Sequence, residues 1–541
     1  MRILVADKLA EEGLELLKQS GVAFDVKVGL KEDELAAAVG AYDALIVRSG
    51  AKVTAKVLAN PANLKAIARA GVGVDNIDLS TATAKGILVL NTAEASTLST
   101  AEHALALMMA LARKIPQAHA HVRSGPEKWE KTKYQGTQLA GKTLGVVGLG
   151  RIGRTVAARA LAMEMNVLGY DPFFSAPTAL EGKVKLVKDF DEFLRQLDVI
   201  SFHVPGGQGT RHLLDRHRLF NVCRPNLLVV NDARGEVVDE LALADALKEK
   251  KIAGAALDVY AKEPPVKDHP LFGLENVVLT PHLGASTDEA QTAVSVEACK
   301  AILAYLKNGE IRGAVNAGGI KLDLPADEAP FAELARRMGA LLSPLLETGF
   351  KTITLRVHGP RTQKLSHTLM RLATVELLRP HLELAVNVIN VEHHARARGI
   401  ELALIVEPTP PSGLVGDVIE LRADAAENGD HHRVVGTVYA DGLPRLLRVD
   451  NFAMDMIPEG NMVLITNKDQ PGVIGFVGTS FGNAGVNIAD MVISRVFGPD
   501  GSATAMMILK LDAPAPDSLL KTLRSQPHIL RVRSVVLPPR P

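Results

Sequence analysis

Short apolar runs separated by amphipathic stretches fill the first 95 residues. Ile3–Ala6, Ala44–Val47, Ala66–Ala68 and Ile87–Leu90 read as strands, and Glu11–Gln19 and Glu32–Val39 carry helical spacing. Strands alternating with helices imply a parallel sheet. Leu98–Arg113 is apolar on nearly every side, which predicts a buried helix. A second series, from Lys142 to Leu279, supplies strands at Thr143–Val147, Val167–Tyr170, Val199–His203, Leu227–Asn231, Gly254–Val259 and Val277–Thr280. The helix Ala285–Leu306 follows and stops at Asn308 and Gly309. Lys321–Pro330 is acidic and proline-containing, as a linker would be. Residues 331–450 hold strands such as Thr352–Val357 and Arg433–Tyr439 but no chemical motif. The C-terminal stretch reads β-α-β-β-α-β, over Met462–Thr466, Val473–Phe481, Val486–Arg495, Thr504–Leu511, Asp517–Ser525 and Val532–Leu537. That order fits a ferredoxin-like sandwich.

Composition narrows the class. A chain of 541 residues exceeds one compact domain and should hold three or four at ~100–200 residues each. Lys plus Arg and Asp plus Glu balance at 61 each, so no global field favours nucleic acid or an acidic membrane. Neither is expected as a partner, and any anion must be caught locally. Two cysteines, Cys223 and Cys299, cannot build a disulfide framework, which fits a reducing cytoplasm. The N-terminus lacks signal-peptide character and no apolar run approaches the ~20 residues that span a bilayer.

Strand Thr143–Val147 runs into Gly148, Leu149, Gly150, Arg151, Ile152 and Gly153 and then a helix. Glycines let the backbone approach a pyrophosphate, and the helix N-terminus offers free N–H groups. By itself such a turn is weak evidence. The next strand, however, ends at Asp171, 18 residues past Gly153. An acid there accepts hydrogen bonds from a ribose diol and repels a 2′-phosphate, which selects NAD over NADP.

Ligands of open α/β sheets bind beyond the carboxyl ends of the strands. Strand Leu227–Asn231 leads to Arg234, strand Gly254–Val259 to Glu263, and strand Val277–Thr280 to His282. Topology therefore gathers these three at one sheet edge. A histidine can take a hydroxyl proton while hydride leaves the carbon. A carboxylate behind it fixes the tautomer and raises its pKa. An arginine can grip a substrate carboxylate. No metal cluster is indicated.

Ala70–Asn76, Gly148–Gly153, Ala233–Gly235, Gly254–Val259, Glu263–Pro265 and Pro281–Thr287 together make the chain similar to the D-2-hydroxyacid dehydrogenase family, in its long form, over almost the whole length. The resemblance implies an α/β fold with two Rossmann-like lobes, then an α+β intervening domain and a ferredoxin-like ACT domain. The expected boundaries are 1–98 plus 283–316 for the substrate domain, 99–282 for NAD binding, 317–455 and 456–541. The helices at Leu98–Arg113 and Ala285–Leu306 would cross between the lobes, around a cleft able to close. Arg234, Glu263 and His282 are implied as catalytic. Contacts to NAD are implied at Val72, Gly148, Gly150, Arg151, Ile152, Gly153, Asp171, Val204, Asp232, Ala233, Arg234, Asp258, His282, Gly284 and Ala285. The implied reaction is NAD-dependent oxidation of D-3-phosphoglycerate in the cytoplasm, by a homotetramer, as the entry to serine synthesis. Departures occur at Asp232, where a small residue is usual, at Glu236, where a glycine is usual, and at Asn91–Ser96.

Local cations must select a phosphate. Arg48 and Ser49 follow a first-domain strand, and Arg69 and Lys133 are further candidates by family position. In the intervening region the resemblance points to a second anion site around Arg445 and Arg448. Near the C-terminus, Asn467, Asp469 and Asn487 resemble the amino-acid site of an ACT module that pairs edge to edge between subunits, with L-serine as the expected effector. A glyoxylate or hydroxypyruvate reductase and a non-catalytic NAD-binding regulator are the alternatives. The complete Arg/Glu/His set and the C-terminal module both favour the enzyme over the regulator.

Overall fold

In the computed structural model the described residues are 1–125, 127, 129–174, 176, 178–346, 349–382, 385–410, 413–425, 431–498 and 502–537. The first lobe is a five-stranded parallel sheet built from β1 (Arg2–Val5), β2 (Ala23–Val26), β3 (Ala44–Val47), β4 (Ala66–Arg69) and β5 (Leu88–Asn91), in the order β2-β1-β3-β4-β5. Side chains of β3, β4 and β5 are almost wholly buried, as a parallel sheet covered on both faces requires. The sequence pattern showed four of these strands and missed β2. That strand lies at the sheet edge, is half exposed and carries only one large apolar residue between Ala23 and Val26.

The second lobe holds β6 (Thr143–Val147), β7 (Asn166–Tyr170), β8 (Thr178–Ala179), β9 (Val184–Leu186), β10 (Val199–Phe202), β11 (Leu228–Asn231), β12 (Gly254–Leu257) and β13 (Val277–Leu279). Their order is β13-β12-β11-β10-β6-β7-β9-β8, parallel except at β8. Strand order reverses between β6 and β10, which leaves a crevice at their carboxyl ends. Helix Thr97–Ala112 packs on β11, β12 and the helix after β6. Only one of its faces is buried: Ala104, Leu107, Met108 and Leu111 lie in the core, while Leu98 and Met109 are exposed, contrary to the all-round burial its composition predicts. Helix Asp288–Asn308 returns to the first lobe against β3, β4, β5 and Glu11–Gln19, and ends at Gly309 in the left-handed region, φ 71°.

A mixed sheet follows, of β14 (Phe350–His358), β15 (Glu401–Glu407), β16 (Val418–Ala425), β17 (His431–Val438), β18 (Pro444–Val449) and β19 (Phe452–Met456), ordered β15-β14-β16-β17-β18-β19. The last unit has β20 (Asn461–Lys468), β21 (Ile488–Phe497), β22 (Ala503–Leu511) and β23 (Ile529–Val536) in the antiparallel order β21-β22-β20-β23. Val473, Val477 and Phe481 of one helix and Leu519, Leu520 and Leu523 of the other share a core with the sheet. Met462, Leu464, Met506 and Ile508 point the other way and are buried in the core of the six-stranded unit. Arg337, 2% exposed, adds a bond to the Pro458 carbonyl at 2.6 Å.

Lys321–Pro330 is not a free linker. Ile320 just before it is buried against the first lobe, the Lys321 N–H donates to Thr368 Oγ1 at 2.9 Å, and Ala329–Pro330 already form the first turn of helix Ala329–Leu342. Asn387 Nδ2 donates to the Gly86 carbonyl at 3.0 Å, so the six-stranded unit also touches the first lobe directly.

Candidate active site

Three glycines shape the turn after β6. Gly148 sits at φ 88° and donates its N–H to the Tyr170 carbonyl at 2.8 Å; a Cβ there would meet the His203 carbonyl at 2.6 Å. A Cβ on Gly153 would lie 1.9 Å from the Gly148 carbonyl oxygen, so only glycine lets the helix start this close to the strand. Gly150 is the N-cap of helix Arg151–Ala162, offers no side-chain cap and has open space where a Cβ would stand. The first N–H groups of a helix have no intrahelical partner and are available to an anion. Asp171 is fixed over the turn, accepting from Leu149 N–H at 2.9 Å and Phe173 N–H at 3.0 Å. These features fit a dinucleotide with a free ribose diol. Ile152 and Val204 pack half-buried around the turn, and Arg151 pairs with Glu94 across the cleft.

The polar strand ends converge beside it. His282 Nδ1 lies 2.7 Å from Glu263 Oε2, and the Tyr260 N–H holds the other Glu263 oxygen at 3.1 Å. The hydrogen bond to Glu263 raises the His282 pKa above its usual 6.5, outweighing burial. Burial would raise Glu263, but the bond to His282 prevails and holds it low. Arg234 leaves the end of β11, with Nη1 bonded to the Ala233 carbonyl at 2.7 Å and Nε paired with Asp75 Oδ2 at 3.1 Å. Asp75 belongs to the Ala70–Asn76 turn of the first lobe, which also carries Val72, so the two lobes meet here.

Behind the dyad lies a second acidic pair. Asp258, fully buried, accepts from Thr280 Oγ1 at 2.5 Å and from the Leu283 and Gly284 N–H groups at 2.8 Å. Asp232, 7% exposed, has a carboxylate oxygen within 4.8 Å of an Asp258 carboxylate oxygen, and a Cβ on Gly284 would approach its Oδ1 at 2.7 Å. The Ala285 carbonyl accepts from Gln291.

Several contributors went unnoticed in the sequence. Asn231 is fully buried and brackets the turn that presents Arg234, donating to the Arg234 carbonyl at 3.0 Å and accepting from Ala233 N–H at 3.2 Å. His103 reaches Asp258 at 3.2 Å from the helix Thr97–Ala112. An asparagine ending an apolar strand and a histidine inside an apolar helix were the available signals. Glu236, by contrast already marked in the sequence as a departure, accepts from Gly207 N–H at 2.6 Å and so ties down the segment after Val204.

Among the substrate candidates, Arg48 Nη1 bonds the Lys8 carbonyl at 3.2 Å and Nη2 bonds Gln291, with Ser49 exposed beside it. Among the described residues no carboxylate lies within ion-pair distance of Arg69 and its buried Nε has no hydrogen-bond partner; burial, with Arg234 nearby, lowers it to about 10. Lys133 is elsewhere. It faces Glu275 at 3.6 Å, just before β13 begins, at the end of the strand opposite His282, so one chain does not bring it to its own cleft. Arg445 is held by Asp441 at 3.0 Å and approaches Asp455 at 3.8 Å, which leaves it ill placed for an anion. The three regulatory candidates also separate. Asn467 and Asp469 close β20, with Asp469 bonded to Arg495 at 3.1 Å, whereas Asn487 precedes β21 and bonds Asp512 at 2.7 Å. Six or seven residues of strand divide them, roughly 20 Å.

The family model for the D-isomer-specific 2-hydroxyacid dehydrogenase NAD-binding domain matches residues 105–284, and that for the D-3-phosphoglycerate dehydrogenase intervening domain matches residues 328–450. A protein of Archaeoglobus fulgidus described as D-3-phosphoglycerate dehydrogenase is 41% identical over 96% of this chain and 97% of its own. One of Methanocaldococcus jannaschii with the same description is 37% identical over 99% and 100%. The solved TT0316 protein of Thermus thermophilus is 36% identical and covers 58% of this chain and 100% of its own, with a TM-score of 0.54.

Proposed function

The chain belongs to the D-3-phosphoglycerate dehydrogenase family, and from that premise we propose that it oxidises D-3-phosphoglycerate to 3-phosphohydroxypyruvate with NAD, the first step of serine biosynthesis. The observation that carries the reading is the His282–Glu263 pair at 2.7 Å, standing with Arg234 at the strand ends beside the glycine turn. NAD supplies the hydride acceptor. The glycine turn would hold its pyrophosphate and Asp171 its ribose diol. Arg234 and the unpaired Arg69 hold the substrate's anionic groups, with Arg48 at the adjoining strand end. His282 Nε2 accepts the C2 hydroxyl proton as hydride departs, while Glu263 holds Nδ1 protonated and stabilises the imidazolium. Excess NAD with D-3-phosphoglycerate should give NADH, followed by absorbance, and D-lactate and D-glycerate should give far less. Equal rates with all three would overturn the substrate assignment.

L-Serine is the effector this reading implies for the C-terminal unit. Asp469 offers an acceptor for its ammonium group and the helix after Gly472 offers donors for its carboxylate. One chain keeps Asn487 at the other end of the sheet. A second chain pairing along the exposed Ala489–Met491 part of β21 would bring its Asn487 toward Asp469, which makes the serine site a shared one and fits a homotetramer. Light scattering of the intact protein tests the subunit number.

A further inference from the structure

We propose that Asp232 is a neutral carboxylic acid that donates its proton to Asp258 and, through Asp258, positions the loop carrying His282. Position 232 is where the resemblance leads one to expect a small residue, so this acid is a feature of this chain. It directly follows the last residue of β11 and is 7% exposed. Its Oδ2 is shielded from solvent and, among the described residues, receives no hydrogen bond from any N–H or ordinary hydroxyl donor. The groups around it are Asp258 beyond β12, the Gly284 backbone beyond β13 and His103 on helix Thr97–Ala112. No lysine or arginine pairs with it among the described residues.

The donors in this pocket converge on Asp258, with His103 also bonded to Thr280 Oγ1 at 3.3 Å. Thr280 Oγ1–H and Leu283 N–H reach Oδ1 at 2.5 and 2.8 Å, Gly284 N–H reaches Oδ2 at 2.8 Å, and His103 Nε2 stands 3.2 Å from Oδ1. Asp258 is therefore the ion of the pair. Two ionised carboxylates in contact inside a protein repel at low dielectric, whereas one proton between them makes a charge-assisted O–H···O bond. Burial and the facing Asp258 push Asp232 up to about 9, so the proton stays on it at neutral pH. A metal ion shared by His103, Asp232 and Asp258 is the competing explanation, because their ligand atoms lie within 4.8 Å of one another. The hydrogens already aimed at both Asp258 oxygens argue against it.

The consequence reaches the proposed base. The His282 N–H donates to the Asp258 carbonyl at 2.8 Å, and the next two N–H groups donate to the Asp258 carboxylate. His282 itself is in the left-handed region at φ 58°, a conformation that persists only when its surroundings enforce it. Ionising Asp232 would push the Asp258 carboxylate away from the loop it anchors. Asp232 is thus a positioning residue, acting on His282 and on the Gly284 edge of the cofactor site through Asp258.

The inference rests on the NAD-dependent reading for the loop's role, so the test uses NADH without phosphoglycerate. Infrared difference spectra of the full chain at pH 7 should show a protonated-carboxyl carbonyl band in the wild type that is lost in Asp232→Asn. The NADH dissociation constant, by fluorescence titration, should be steady from pH 6 to 8 and rise at least ~10-fold as pH passes about 9. Asp232→Asn, which keeps a donor but cannot ionise, should lack that rise. Asp232→Ala should bind NADH ~10–100-fold more weakly at every pH, with most of the loss recovered by Asn. Absence of the carbonyl band, or stoichiometric metal whose chelation weakens NADH binding, overturns the proposal. A wild type that shows the band but never binds NADH upholds the acid pair and defeats the functional reading instead.

Discussion

At 2.7 Å the Glu263 carboxylate decides which imidazole nitrogen of His282 faces the cleft, and its charge makes the ring more basic. Oxidation needs the neutral imidazole, so kcat/KM should fall as pH drops through a value above 6.5. Glu263→Gln removes the charge, and the acid limb should move down toward or below 6.5 while kcat drops. An unmoved limb would show that Glu263 does not govern the base. His282→Ala should cost ~10²–10⁴-fold in kcat with NADH binding retained, because the ring touches the substrate proton and not the pyrophosphate turn.

Within the strand–turn–helix element of the nucleotide site, two glycines make contrasting demands. Gly153 is required by the fold: its Cβ would strike the Gly148 carbonyl at 1.9 Å, so Gly153→Ala should lower thermal stability by ~1–3 kcal/mol. Gly150 has φ −67° and open space, so alanine there is free of backbone strain. The open space is where the pyrophosphate would lie. Gly150→Ala should therefore melt like the wild type yet bind NADH at least ~10-fold more weakly, and unchanged affinity would place the phosphates elsewhere. Asp171, pinned by two N–H groups, is set to discriminate; Asp171→Ala should narrow the preference for NAD over NADP in kcat/KM.

Over the whole molecule, coupling runs through packed surfaces. The four-stranded unit buries Met462, Leu464, Met506 and Ile508 in the core of the six-stranded unit, which in turn bonds Gly86 of the first lobe through Asn387. Leu464→Ala should destabilise that joint by ~2–5 kcal/mol, seen as a lower first transition in calorimetry. Serine should inhibit the wild type, and Asn487→Ala should raise the half-inhibitory serine concentration at least ~10-fold. A wild type that serine neither binds nor inhibits would leave the C-terminal unit an assembly module. No helix among the described residues is long and apolar enough to cross a membrane.

Periodicity alone determined the α/β order, because buried parallel strands such as β3 and β11 must be continuously apolar and their flanking helices amphipathic. The glycine turn, Asp171 and the three strand-end residues were legible for the same local reason: each is fixed by its distance along the chain from a strand end. The edge strands β2 and β8, and the short β9 beside β8, were not, since half-exposed short strands carry little apolar signal. Tertiary structure alone decided what depends on partners remote in sequence. It sent Lys133 to the opposite end of the sheet, split Asn487 from Asp469, filled Arg445 with carboxylates and packed the supposed linker. It also set Asp232 against Asp258 across 26 residues of chain, where the charge of each depends on the other, and no pattern within either segment encodes that contact.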